Sequence, residues 1–193
     1  MSTKTSIPAK IIRVVTVPPV LLTILILLLW IGREDIFHSG AEAWLSWLLL
    51  GGIPLLAYPL QPMLPGFRKQ GREGQRRLAF LLNAVGYTSA MIIGYVMNLS
   101  KHLKLIFATY FLSLVILIIC NLLHIRASGH ACGVSGPLVL LVYFIGWKAL
   151  IPCLAVEAAV IWSSLTLKRH TGRESLLGML ACAAGFGLAW CLV

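Results

Sequence analysis

Seven long apolar runs, separated by short polar segments, constrain this chain more than any other feature of its sequence. A helix needs roughly 20 mostly apolar residues to cross a bilayer, and each run is close to that length. Apolar residues make up 59 % of the 193-residue chain and charged residues only 11 %, at a mean hydropathy of +0.91. The sequence therefore predicts an all-α, polytopic transmembrane helical bundle of six to seven transmembrane helices, forming one domain over residues 1–193. The runs cover residues 11–31, 43–64, 78–98, 103–123, 131–147, 149–167 and 175–193.

The net charge of +10 indicates which kinds of molecule this chain can bind. In a soluble protein it would suggest nucleic acid, but here the cations lie in short segments between apolar runs. We therefore expect membrane lipids and a phosphorylated substrate as partners, and no nucleic acid. The five cysteines show no CxxC spacing and indicate small apolar side chains, not disulfides or a zinc site. The first apolar run ends without a small-residue cleavage site, which favours a retained helix in a multi-pass protein of the cell membrane.

Alternation of the seven runs across the membrane brings three polar segments to the same end of the bundle. These are a basic loop at 66–77 and the segments 124–130 and 168–174. This end carries 12 of the 16 lysines and arginines, so the positive-inside rule favours a cytoplasmic position for it. The convergence predicts one polar site at a membrane interface.

The segment Arg126-Ala-Ser-Gly-His130 is the first candidate element of that site. Ser128 and Gly129 precede an apolar run, and backbone N–H groups at a helix start favour an anion. Gly129 allows close backbone approach, and His130 can donate a proton near neutral pH. An interfacial or capping histidine is the ordinary alternative. His124 could support the site or have no role.

A second candidate element is His170-Thr-Gly-Arg-Glu174. A histidine and a carboxylate four residues apart share a helix face, and a carboxylate on one ring nitrogen raises the nucleophilicity of the other. An ordinary surface ion pair is the alternative. Lys69 and Arg76 in the basic loop could clamp a phosphate or simply follow the positive-inside rule. Glu157, in the middle of an apolar run, could be structural, paired with a polar residue, or part of a channel.

Taken in order, these blocks resemble the type 2 phosphatidic acid phosphatase (PAP2) superfamily. The family pattern is Lys-x6-Arg-Pro, then Pro-Ser-Gly-His, then Ser-Arg-x5-His-x3-Asp. Lys69 and Arg76 match the first block in spacing, Ser128-Gly129-His130 match the second, and His170 matches the third, with Glu174 at its aspartate. The resemblance covers about residues 66–185 and implies a PAP2-like helical core there.

The resemblance implies a hydrolase for a lipid phosphate or polyprenyl diphosphate that uses neither a metal nor another cofactor. His170 would attack phosphorus and form a phosphohistidine, Glu174 would orient it, and His130 would protonate the leaving oxygen. The family works on the outer or lumenal face, in conflict with the charge bias. The phosphate-binding residues that we expect are Lys69, Arg76, Arg126, Ser128, Gly129 and Arg169.

The chain departs from the family pattern at four positions, one of which is Glu174 in place of the aspartate. Arg77 and Ala127 stand where the family has proline, and Ser164 stands where it has an arginine six residues before the nucleophile. Arg126, Arg169 or Lys168 could replace that guanidinium from another backbone position. The alternative function is a catalytically degenerate PAP2-like membrane protein acting in lipid binding, transport or scaffolding.

Overall fold

The computed structural model describes residues 6–193, and these residues are mainly α-helical, with no strand among them. Five helical stretches are long and apolar enough to cross a membrane: Gly40–Leu60, Gly71–Val96, Lys101–Leu122, Gly172–Leu192 and Trp147–Thr166, which includes a short 3-10 turn at 147–149. The bent pair Ile7–Val15 and Pro18–Gly32 would together make a sixth span. The remaining expected run, at 131–147, forms the helix Gly129–Ile145, which is apolar but only 17 residues long. The all-α architecture is therefore as predicted, with five to six candidate spans. The helices are α1 (Ile7–Val15), α2 (Pro18–Gly32), α3 (Gly40–Leu60), α4 (Pro65–Arg68), α5 (Gly71–Val96), α6 (Lys101–Leu122), α7 (Gly129–Ile145), α8 (Leu150–Thr166) and α9 (Gly172–Leu192).

The first apolar run is not the single helix over 11–31 that hydropathy predicts. It is divided into α1 and α2, whose axes differ by 50°. Pro18 and Pro19 begin α2, and Val17 before them is extended. Proline disfavours a helical conformation in the residue before it and has no N–H to donate to the preceding turn, so α1 cannot continue. As a consequence α1 packs against α8 instead of extending α2.

The basic segment at 66–77 was predicted to be a loop, and this prediction is wrong. Its first part forms α4, and the rest forms the first two turns of α5. Gly74 of α5 packs against the backbone carbonyl of Phe67, and Gln61 donates hydrogen bonds to the carbonyls of Phe67 and Gly71. Arg72, Arg76 and Arg77 therefore project from a helix start, not from a flexible loop.

The last helix, α9, packs along α6 and α7. Two glycines of α9 allow close approach, because Gly178 lies against the carbonyl of Ser128 and Gly185 against the side chain and backbone of Ser113. A β-carbon at either position would overlap these atoms. Small residues commonly serve this purpose where membrane helices cross. Gly178 thus brings the start of α9 next to the start of α7.

The end of the bundle opposite the motif segments is joined by a polar cluster around Arg33. Its guanidinium donates 2.7 and 2.8 Å hydrogen bonds to Asp35 and a 2.6 Å bond to the carbonyl of Phe144, near the end of α7. His102, at the start of α6, lies 3.1 Å from Asp35. The hydrogen bonds from Arg33 lower the pKa of Asp35 to about 2. The cluster ties three chain reversals together at this end.

Candidate functional site

Helices α6 and α8, which precede the segments 124–130 and 168–174, end in the same type of turn. His124 follows α6 at φ 58° and Lys168 follows α8 at φ 50°, both in the left-handed region. In each turn the next residue donates back to the last helical turn, from Ile125 N to Cys120 O at 2.8 Å and from Arg169 N to Ser164 O at 3.0 Å. This pattern is the Schellman motif, which ends helices and reverses chain direction. His124 is therefore an exposed helix-ending residue.

Ser128 connects the segment 126–130 to the segment 170–174. Its hydroxyl accepts from Ala131 N at 3.2 Å and so caps α7, while its own N–H donates a 2.8 Å bond to the carbonyl of Glu174. Ser128 is buried, whereas Gly129 faces open space. The N–H groups in the first turn of a helix lack intrahelical partners, which leaves those of Gly129 and His130 for an anion.

His170 and Glu174 form the pair that their spacing predicts. His170 Nδ1 lies 3.1 Å from Glu174 Oε2, and both side chains are at most 20 % exposed. Glu174 is itself held by a capping box, in which Thr171 N donates to its carboxylate and Glu174 N donates to the Thr171 hydroxyl. A hydrogen bond at Nδ1 keeps the proton there and leaves Nε2 as the free lone pair of a neutral imidazole.

Three influences set the pKa of His170, and their sum lowers it below the usual value. Burial lowers it, the bond and charge of Glu174 raise it, and the positive charges of Arg13 and Arg76 lower it further. His170 is therefore neutral at physiological pH, which is the form that can act as a nucleophile. The two arginines also show that α1 and α5 both reach the neighbourhood of His170.

His130 completes the pair of histidines. It lies within electrostatic reach of His170 and of Arg13. Its Nε2 atom is buried and has no hydrogen-bond partner among residues 6–193. A buried ring nitrogen without a partner is unfavourable unless a ligand supplies one. Nε2 is thus free to bond to a group between the two histidines.

The side chains of the expected phosphate-binding residues differ in the contacts that they make and in the charged groups near them. Arg76 is exposed and bonded to Glu73 at 3.4 Å, but its charge acts on His170. Arg126 is exposed and lies within electrostatic reach of Glu174. Lys69 is exposed, and its side chain makes no hydrogen bond or ion pair within the described part of the chain. Arg169 is exposed and lines an open basic cleft.

Arg13 is the residue of this region that sequence reasoning missed. Its Nη1 atom donates a 3.3 Å hydrogen bond to Ser164 Oγ, although the two residues are 151 positions apart. Arg13 also lines an open cleft of about 460 Å³, formed where α1, the start of α5 and the end of α8 meet. The cleft is strongly basic. Its lining residues are Lys10, Arg13, Val14, Arg72, Leu167, Lys168 and Arg169.

The sequence contains a second histidine and glutamate at the same spacing, which shows what the surroundings contribute. His38 and Glu42 lie at the start of α3, with Nδ1 3.5 Å from Oε2, but the His38 side chain is 66 % exposed. They belong to the opposite end of the bundle, near the Arg33 cluster. Of the two pairs, the one at 170–174 has the more buried histidine, and Arg13, Arg76 and His130 lie within electrostatic reach of it.

Glu157 is paired rather than isolated. Its Oε2 atom lies 3.2 Å from Ser135 Oγ on α7, and its side chain is buried between α7 and α8. Of the three alternatives that the sequence leaves open, a polar partner on a neighbouring helix is the one that the structure contains. Oε1 has no partner among the described residues.

The chemical character of the site follows from its donors, which are imidazoles, guanidinium groups and backbone N–H groups. Residues 6–193 contain no group of three or more His, Cys, Asp or Glu side chains close enough to hold a metal ion. All five cysteines are free thiols. Comparison of the chain with protein-family models, with curated protein sequences and with solved structures finds no match. Its function has to be inferred from the residues themselves.

Proposed function

We propose that this chain is a membrane-embedded phosphatase that hydrolyses a lipid phosphate or polyprenyl diphosphate through a phosphohistidine at His170. The observation that carries the proposal is the arrangement of His170, Glu174 and His130, in which one histidine is held by a carboxylate and the other has a free, buried nitrogen. The proposal agrees with the PAP2 resemblance of the motifs.

The first chemical step would use the two histidines in opposite roles. The Nε2 lone pair of His170 forms a bond to phosphorus while the bond from phosphorus to the leaving oxygen breaks. His130, which takes up a proton when the anionic phosphate binds beside it, donates that proton to the oxygen, which departs as the lipid alcohol or lipid phosphate. Glu174 stabilises the positive charge that develops on the His170 ring, because its carboxylate already contacts Nδ1.

The second step would reverse these roles. His130, now neutral, takes a proton from a water molecule, whose oxygen attacks phosphorus and breaks the bond to His170. Inorganic phosphate leaves, and both histidines return to their starting states. Backbone N–H groups at Gly129 and His130, with nearby cations, would stabilise the charge on the phosphoryl oxygens in both steps.

The position of the site suits a substrate with an apolar tail. The motif segments lie at the ends of apolar helices, and Ile125 and Leu123 beside them are exposed. A lipid could keep its chain among the apolar side chains while its headgroup meets the cations. This arrangement favours a lipid over a water-soluble phosphate ester as the substrate.

The test is phosphate release from polyprenyl diphosphate and from phosphatidate by the purified full chain in detergent with EDTA. We expect His170→Ala to lower the rate roughly 10³-fold or more, as expected for loss of a nucleophile. His38→Ala is the matched control, because it removes the other His-x3-Glu histidine, and it should retain the wild-type rate. Rapid quenching should trap an acid-labile phosphoryl group on the wild type and on His38→Ala, but not on His170→Ala.

Two results would contradict the proposal. Equal rates for wild type and His170→Ala, or no release from either lipid, would leave a non-catalytic role in lipid binding, transport or scaffolding. Loss of wild-type activity in EDTA would contradict a metal-independent mechanism.

A further inference from the structure

Arg13 occupies an unusual electrostatic position for a surface cation. It is partly buried where α1 packs against α8, and its only hydrogen bond to another described residue is the one to the neutral hydroxyl of Ser164. No aspartate or glutamate of residues 6–193 forms an ion pair with it. Its charged neighbours are the cations Arg72 and Arg169. A partly desolvated guanidinium among like charges is stabilised when an anion joins it.

The position of Arg13 relative to the histidines indicates which anion that is. Its charge acts on both His130 and His170, so the guanidinium lies within electrostatic reach of both rings. Phosphoryl oxygens held between these rings would be within reach of Arg13. A planar guanidinium can bond two such oxygens at once.

Ser164 is the residue that directs Arg13 to this place. It is 3 % exposed and lies in the last turns of α8, six residues before His170. A longer side chain at 164 would start on α8, at the point that the Arg13 guanidinium contacts. Arg13 reaches it from α1 instead, and the hydroxyl of Ser164 accepts one of its N–H groups. The serine therefore leaves room for a guanidinium supplied by another helix.

We propose that Arg13 binds the transferring phosphoryl group, supplying from α1 the guanidinium that this chain lacks at position 164. The proposal rests on the proposed phosphatase function of the same site. It makes α1 a part of the substrate site, with Ser164 as the residue that positions Arg13. Arg126 and Arg169 fit this role less well, because both are exposed whereas Arg13 is partly buried.

The experiment compares the full chain with Arg13→Ala, Arg13→Lys and the double variant Arg13→Ala/Ser164→Arg, all in detergent with polyprenyl diphosphate as the substrate. We expect Arg13→Ala to lower kcat/KM by about 10²–10³-fold, the usual effect of removing one donor to a developing oxyanion. The kcat/KM of Arg13→Lys should lie between those of the wild type and Arg13→Ala, because lysine keeps the positive charge but lacks the planar guanidinium that can bond two oxygens. In the double variant, Ser164→Arg should raise kcat/KM at least about tenfold above that of Arg13→Ala, because it supplies a guanidinium from α8. Arg173→Ala removes an exposed arginine near the site and is the matched control.

Two further measurements distinguish phosphoryl binding by Arg13 from a purely structural role of this residue in folding. Millimolar guanidinium should stimulate Arg13→Ala and not the wild type, and inorganic phosphate should inhibit Arg13→Ala more weakly than the wild type. A merely structural role would produce neither effect. Arg13→Ala within threefold of the wild-type rate would overturn the inference, and so would a low rate that neither Ser164→Arg nor guanidinium improves. Because His170→Ala is measured in parallel, a wild type no faster than that variant identifies failure of the phosphatase proposal instead.

Discussion

The backbone N–H of Ser128 donates a 2.8 Å hydrogen bond to the carbonyl of Glu174, and this bond joins two sequence blocks that lie 46 positions apart. It sets the start of α7 against the start of α9, so that His130 and His170 approach each other. The contact is possible because Gly178, in the second turn of α9, presents no side chain to the Ser128 carbonyl. The geometry of the site therefore depends on backbone atoms as much as on the motif side chains.

Gly178→Ala should disturb the site, because its methyl group would overlap the carbonyl of Ser128. We expect a loss of about 1–3 kcal/mol in the free energy of unfolding, the usual cost of overpacking, together with reduced phosphate release. Gly187→Ala on the same helix is the control, since a β-carbon there meets nothing within 4 Å. Thermal unfolding in detergent compares the two. Equal melting temperatures would contradict the role of Gly178.

Substitutions at Glu174 and Thr171 should separate orientation of His170 from capping of α9. Glutamine can still accept the Thr171 N–H, so Glu174→Gln keeps the capping box but removes the charge beside His170. We expect kcat to fall roughly 10²- to 10⁴-fold, as when an oriented proton-transfer partner is lost. Thr171→Ala should do the reverse, costing about 1 kcal/mol of stability while kcat changes little. A large kcat loss in Thr171→Ala would contradict this division.

The acid limb of the pH profile of kcat/KM should report the lowered pKa of His170 in the free enzyme. Attack needs the neutral ring, so activity should be lost as pH falls through that pKa, which lies below the ordinary value of about 6.5. Glu174→Gln removes an influence that raises the pKa, and should move the acid limb to lower pH. Arg13→Ala removes one that lowers it, and should move the limb to higher pH. Shifts in the same direction for both variants would contradict the assignment.

Cysteine labelling should show which membrane face the site opens to. Cys132 is 5 % exposed and cannot serve as a reporter, whereas Arg173 and Ser39 are exposed at opposite ends of the bundle. In a Cys191→Ala background, we expect an impermeant maleimide to label Ser39→Cys in intact cells and Arg173→Cys only after permeabilisation. That result follows from the excess of cations at the motif end. The opposite labelling pattern would place the site on the outer face.

The amino-acid sequence alone determined the helical, membrane-type architecture, because apolar runs of bilayer length have few other stable conformations. It also indicated the local pairs within one helix turn, such as His170 with Glu174 and Ser128 with the start of α7, since their contacts depend only on spacing. The break between α1 and α2 was hidden in a continuous apolar run. Pro18-Pro19 was the signal that could have revealed it.

The tertiary structure alone decided which distant residues meet. Arg13 contacts Ser164 only because the bend before Pro18 lays α1 against α8. No spacing rule connects residues 151 positions apart. The two His-x3-Glu pairs are likewise equal in sequence, and only packing buries one beside His130 and leaves the other exposed. Local hydrogen bonds can be read from the order of residues, but the electrostatic surroundings of a site depend on how whole helices pack.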